Sequence, residues 1–154
     1  MYNHEPDGYD CPFCRLAAGL GDALTTQHDI VLRGEHALAF VASRWWPNNP
    51  GHVLVVPTAH HENLYDLPPT SGHAVHDLVR EVAIAIRSTY NCAGTSTRQH
   101  NEPAGHQDAW HYHVHVFPRY PNDNLYTTRH LPNPATPAQR EPYINRLTNY
   151  FDNT

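Results

Sequence analysis

Residues 111–119 read His-Tyr-His-Val-His-Val-Phe-Pro-Arg, and no other stretch limits the fold as strongly. Side chains alternate between the two faces of an extended chain. His111, His113 and His115 therefore share one face, and Tyr112, Val114 and Val116 share the other. The second face is apolar and suits burial in a core. The first carries a row of imidazoles spaced roughly 6–7 Å apart at the usual strand rise. Each ring in such a row meets its own neighbours, so one strand can hold three different roles. The plain alternative is a surface strand rich in histidine, in a chain that carries 14 of them.

The chain has 154 residues, 40% of them hydrophobic and 16% charged, with a net charge of −5. One domain with one core is expected at this length. The charge balance argues against a general grip on nucleic acid or acidic membranes, which needs clustered Lys and Arg. It leaves room for a site that takes one small anion. The first ten residues are polar and acidic, unlike a signal peptide. No apolar run approaches the roughly 18–20 residues that span a bilayer. The expectation is a cytoplasmic protein without nucleic-acid or membrane partners. Fourteen prolines imply much loop and turn.

Residues 1–10 read as an arm, followed by Cys11-Pro12-Phe13-Cys14 and a short helical turn stopped by Gly19. Ile30–Arg33 and His36–Val41 flank Gly34-Glu35 as a β-hairpin. Trp45 to Gly51 forms a rigid loop. Gly51-His52-Val53-Leu54-Val55-Val56-Pro57 is a near-continuous apolar strand, as expected when both faces are buried. Val75, Leu78, Val79, Val82, Ile86 and Tyr90 recur at steps of three and four, which predicts a helix from about Pro69 to Tyr90. Prolines 68 and 69 suit its start. Thr95–Gln99 is a further strand candidate, and residues 100–110 form a polar loop before the histidine row. A last helix is expected from Thr136 or Glu141. Hairpin, strand, long helix, strands and helix in that order predict an α+β fold with a mainly antiparallel sheet of about five strands. The residues divide into an arm (1–10), a domain (11–120) and a C-terminal extension (121–154) packed on that domain.

Cys11-x-x-Cys14 allows three readings. A redox pair belongs between a strand and a helix of a βαβ unit, and none precedes it. A zinc half-site needs two more N or S ligands, for which His60, His61 and His111 are candidates. An empty reduced pair is the third. Cys92 reads as a small buried hydrophobe. Asn101 and Gln107 bracket the loop before the histidine row. Amides in a loop usually mean turn chemistry, but a chain folding back at Gly105 can aim amide donors at whatever the imidazoles hold.

Together these residues resemble the histidine triad (HIT) family of nucleotide hydrolases and transferases. Residues 111–117 match His-φ-His-φ-His-φ-φ if Tyr112 is allowed at the first apolar position φ. Gly51 to Pro57 followed by His60 resembles the family's Gly-His-φ-φ-φ-φ-Pro-x-x-His segment, and Phe117-Pro118-Arg119 resembles its motif end. The resemblance spans about residues 11–120. It implies that His113 is the nucleophile attacking a nucleotide α-phosphate. His115 and Gln107 would assist catalysis. Asn101, Gln107 and His115 would contact the phosphate, with Phe40 and Trp45 beside the nucleoside. Cys11, Cys14, His60 and His111 would hold one structural zinc. Relatives are commonly homodimers, which implies one here.

Three features depart from the family pattern. Ala42 stands where many members have an acidic residue that holds the ribose. His106 separates Gly105 from Gln107, and Asp108 stands where Ser or Glu is common. The leading expectation is a nucleotidyl hydrolase acting on a phosphoramidate or phosphoanhydride. A nucleotidyl transferase could use the same covalent intermediate. Other classes are a non-catalytic nucleotide-binding module, or a catalytic metal centre made by the histidine row itself.

Overall fold

The β-branched runs pair into one antiparallel sheet of five strands, β1 (Ile30–Arg33), β2 (Ala37–Val41), β3 (Val53–Pro57), β4 (Gly94–Arg98) and β5 (Val114–Arg119). Their spatial order is β1-β2-β3-β5-β4. The computed structural model describes residues 2–154. Strand β3 is buried along its whole length, as its unbroken apolar run predicts. It pairs with β2 on one side and β5 on the other. The register sets His115 opposite Leu54 on β3 and opposite Arg98 on β4. Ladder pairing starts at Val114, so His111 and His113 lie in the segment leading into the strand.

Two helices cover one face of the sheet. Helix α2 (Pro69–Thr89) turns Val75, Val82, Ala85 and Ile86 inward, onto Ala39, Val41, Val53, Val55, Val114 and Val116. Helix α3 (Pro137–Asp152) adds Ile144 and Leu147 to that core. Its start is fixed by a capping box, in which Gln139 N–H donates to Thr136 Oγ1 and Thr136 N–H to Gln139 Oε1. The buried Arg140 guanidinium grips Asp29 through Nε (2.8 Å) and Nη2 (3.2 Å), tying α3 to the turn before β1. Gly51 has φ +76°, and a Cβ there would collide with the Tyr143 ring of α3. Only glycine lets the loop before β3 pass under that helix.

The opposite face carries Leu38, Phe40, Ala42, Leu54 and Val56, packed under Cys11, Phe13 and Leu16. These last residues belong to, or cap, the short helix α1 (Pro12–Ala17). Residues 2–10 of the arm form no helix or strand, yet they are pinned down. Glu62 accepts hydrogen bonds from the backbone N–H groups of His4 (2.7 Å) and Glu5 (2.8 Å), and Tyr9 Oη accepts one from Trp110 N–H. No helix among the described residues is long and apolar enough to cross a membrane.

Candidate active site

The row of histidines faces the α1 side of the sheet. His113 is 4% exposed, and its Nδ1 lies 2.8 Å from the His111 carbonyl oxygen. Only an N–H can bond a carbonyl, so Nδ1 carries a proton and, in the neutral tautomer, Nε2 holds the lone pair. Nε2 faces a cavity of about 220 Å³ and lies 3.6 Å from an Asp108 carboxylate oxygen. A proton taken up on His113 Nε2 would face this carboxylate, and that pairing holds the Asp108 carboxyl below its usual range.

His115 is oriented by His52, a residue whose role the sequence did not reveal. Their Nδ1 and Nε2 atoms lie 3.4 Å apart, and His52 Nδ1 is buried without a partner. Orphaned buried N–H groups are rarer than under-satisfied buried acceptors. The proton of His52 therefore sits on Nε2 and is donated to His115 Nδ1, leaving His115 with its own N–H on Nε2. Burial, then Arg98, hold the His52 imidazole down at about 3. Burial and the charges of neighbouring histidines push His115 well below its ordinary value. Both rings are neutral at pH 7, one offering an N–H and the other positioning it.

Phe40, Leu54, Phe13 and Trp46 line the same cavity. Trp46, not Trp45, is the tryptophan at the site. Trp45 is buried, donates its Nε1–H to Ala42 O (2.6 Å) and packs edge-on against Tyr143, so it lines no cavity. Ala42 is 3% exposed and offers no polar group to a ribose.

The two amides are also placed differently from expectation. Gln107 donates Nε2–H to Glu62 O (2.6 Å) and Ala109 O (3.0 Å) and accepts from Glu102 N–H (2.8 Å). Asn101 accepts from Leu64 N–H and donates to Gln99. The inserted His106 and Glu102 both take positive φ, coiling the loop so that its amides satisfy its own backbone. Neither amide faces the cavity in this conformation. Asp108 occupies that edge instead.

Residues 123–135 close the far side. Asp123 forms a forked pair with Arg119 (2.8 and 3.0 Å) and accepts from Asn49. Leu131 N–H donates to Trp45 O and Ala135 N–H to Ser43 O. Trp46 Nε1–H donates to Thr128 O. These bonds bring Tyr126, Arg129 and His130 against Trp46 and His115.

Two residues before His113 along the chain, His111 converges with Cys11, Cys14 and His60, all four ligand atoms lying within 4.8 Å of one another. His60 Nδ1 and His111 Nδ1 are 3.1 Å apart, and each lies 3.2–3.3 Å from a cysteine sulfur. A tetrahedron with zinc bond lengths has edges of roughly 3.3–3.8 Å, so the donor set fits one ion. The second nitrogens are fixed as well. His111 Nε2–H donates to Pro57 O (2.9 Å) and His60 Nε2–H to Glu5 (2.8 Å), which frees both Nδ1 atoms for a metal. Burial and the Cys11 thiol push the Cys14 thiol up to about 12, so both sulfurs ionise together only with a cation between them. This geometry assigns His111 to the cysteine pair and leaves His113 outside any metal set.

A family model described as HIT domain matches residues 24–122. The curated "Protein hit" of Bacillus subtilis is 32% identical over 111 residues, 72% of each chain.

The chain belongs to the histidine triad family.

The HIT family is one of nucleotide-binding hydrolases and transferases. The crystal structure of a zinc-bound histidine triad family protein from Mycobacterium smegmatis superimposes with a TM-score of 0.75 at 26% identity, covering 94% of each chain. The adenylylsulfatase HINT3 of Arabidopsis thaliana is 26% identical over 122 residues, 79% of this chain and 58% of that protein.

Proposed function

We propose that this HIT protein is a nucleotidyl hydrolase that works through a covalent intermediate on His113. The observation that carries the proposal is the His113–His111 carbonyl bond. In the neutral ring it places the proton on Nδ1 and leaves the Nε2 lone pair as the one turned toward the cavity. In the first step a bond forms between Nε2 and an α-phosphorus, and the bond from that phosphorus to the leaving group breaks, with the electron pair departing on the leaving atom. His115 Nε2–H donates to the phosphoryl oxygens as charge develops there. In the second step water adds to phosphorus and gives up a proton to solvent, while the electron pair of the breaking N–P bond returns to Nε2, which restores neutral His113 and releases the nucleoside monophosphate. Phe40 and Trp46 supply apolar and aromatic surface for the nucleoside. Asn101 and Gln107 serve the site by holding the loop that carries Asp108.

Cys11, Cys14, His60 and His111 hold one structural zinc in the same reading. A bound zinc supplies fourfold coordination that ties α1 to the segment leading into β5. His111, whose carbonyl orients His113, is then held at both its side chain and its backbone. A homodimer belongs to the reading too, on the ground of the family resemblance, and sedimentation at twice the chain mass checks it.

Turnover of adenosine phosphoramidate, diadenosine polyphosphates and nucleotide sugars by wild type and His113→Ala tests the proposal. Hydrolysis of one class by wild type alone is expected. Equal rates for the two proteins, or no turnover of any class, count against it. Added phosphate, sulfate or sugar phosphate separates a transferase, which would yield the acceptor adduct instead of the monophosphate.

A further inference from the structure

Beside the first cavity, and sharing Trp46, His115, Asp108 and His130 with it, lies a second cavity of about 530 Å³. Its other lining includes Arg98, Arg129, His100 and His106, and its only carboxylate is Asp108, which stands against His113. In a chain of net charge −5, this is a local concentration of positive charge.

Arg98 is the centre of it. The β4–β5 register places it opposite His115 on the same face. Its guanidinium carbon lies 4.8 Å from the ring centroids of both Trp46 and Phe117. Its Nε is buried with no hydrogen-bond partner, and no carboxylate pairs with it among the described residues. Rings packed against a guanidinium leave its N–H groups available only at the edge. A partly buried cation without a counter-ion is costly; burial works against the Arg98 charge, Tyr126 on the same cavity wall favours it in part, and Arg119 opposes it. Arg129 on the opposite wall is exposed and likewise makes no ion pair.

We propose that this second cavity is a leaving-group subsite for a tetrahedral oxyanion, with Arg98 as its principal contact and Arg129 as the second. The inference rests on the proposed attack at an α-phosphorus and adds the class of group displaced. A phosphate or sulfate leaves with the bonding electron pair on oxygen and needs charge stabilisation more than a proton, which Arg98 supplies. An amine leaving group needs a proton, and one bearing an ammonium is repelled from this wall. The substrate class is therefore a nucleotide joined through its α-phosphate to a second phosphate or a sulfate.

AMP and ADP binding to the full-length His113→Asn protein, measured by titration calorimetry, tests the subsite. ADP is expected to bind tighter than AMP by on the order of tenfold, as a charge-assisted contact implies. Arg98→Met should abolish that advantage, read as the ratio of ADP to AMP affinity within the variant so that any change in the Trp46 surface cancels. Because Arg98 is partly buried, Arg129→Gln provides a surface variant that should reduce the advantage without touching the core. Equal binding of AMP and ADP, or an ADP advantage that survives both substitutions, overturns the subsite and leaves the His113 proposal standing. No binding of AMP, GMP, CMP or UMP overturns the nucleotide reading and the subsite with it. Single-turnover release from adenosine 5′-phosphosulfate and from ADP by the His113 protein distinguishes sulfate from phosphate. Loss of both in Arg98→Met supports the subsite, and retention of both refutes it.

Discussion

The buried His52 should make the protein sensitive to mild acid, and the size of the effect follows from its surroundings. His52 is 1% exposed. It stacks on Phe117 with ring centroids 4.5 Å apart, and its Nδ1 has no partner. Burial and Arg98 hold its imidazole at about 3, against an ordinary value of 6.5. Between those values the unfolded chain binds a proton that the folded chain refuses, so stability rises with pH across the window and is fully present above 6.5. Lowering the pH from 7 to 5 should therefore cost about 2 kcal/mol from His52 alone. Urea unfolding of wild type and His52→Phe at both pH values isolates this contribution. Phenylalanine keeps the stacked ring but cannot titrate. Carboxylates and metal ligands away from His52 titrate in both proteins, so they cancel in the comparison, and His52→Phe/His115→Asn against His115→Asn removes the part that passes through His115. The variant should lose about 2 kcal/mol less than wild type on acidification. Equal losses would refute the assignment of His52 as a neutral, unprotonated ring. The variant should also turn over more slowly, since His115 Nδ1 loses the donor that orients it.

Two other substitutions read separate parts of the structure. Cys11→Ser should lower bound zinc from one per chain toward none, by elemental analysis, and lower the melting temperature, because binding to a site made only on folding stabilises the fold. His113→Ala should keep its zinc. Arg140→Met should destabilise by about 3–5 kcal/mol in denaturant titration, since it leaves the buried Asp29 carboxylate without its partner. An effect below about 1 kcal/mol would mean that water reaches Asp29 readily.

The elements legible from sequence are those set by short-range pattern. The apolar run at β3, the 3.6-residue stripe of α2 and the Gly34-Glu35 turn each carry their own signal; α2 and β1 to β4 form within a residue or two of expectation, whereas β5 starts at Val114, three residues after His111. The alternation in the histidine row was legible for the same reason. Positions decided by distant partners were not. Trp45 and Trp46 are adjacent and chemically alike, and only backbone bonds to residues 128 and 131 decide which one reaches the site. Gln107 turns into its loop because Glu62, 45 residues earlier, offers a carbonyl. Arg98 sits in a polar run whose sequence gives no sign that it faces His115, a fact that appears only in the β4–β5 register. Residues 123–135 carry no periodic signal, since their path is set by Asp123 and by edge contacts to the tryptophan loop.

Intact-protein mass, recorded at low pH after brief exposure to a panel of nucleotides, addresses the nucleophile most directly. A phosphorus–imidazole bond is expected to add the mass of one nucleoside monophosphate to wild type and none to His113→Ala. An adduct of that mass on His113→Ala, or none on wild type during measurable turnover, would contradict the account.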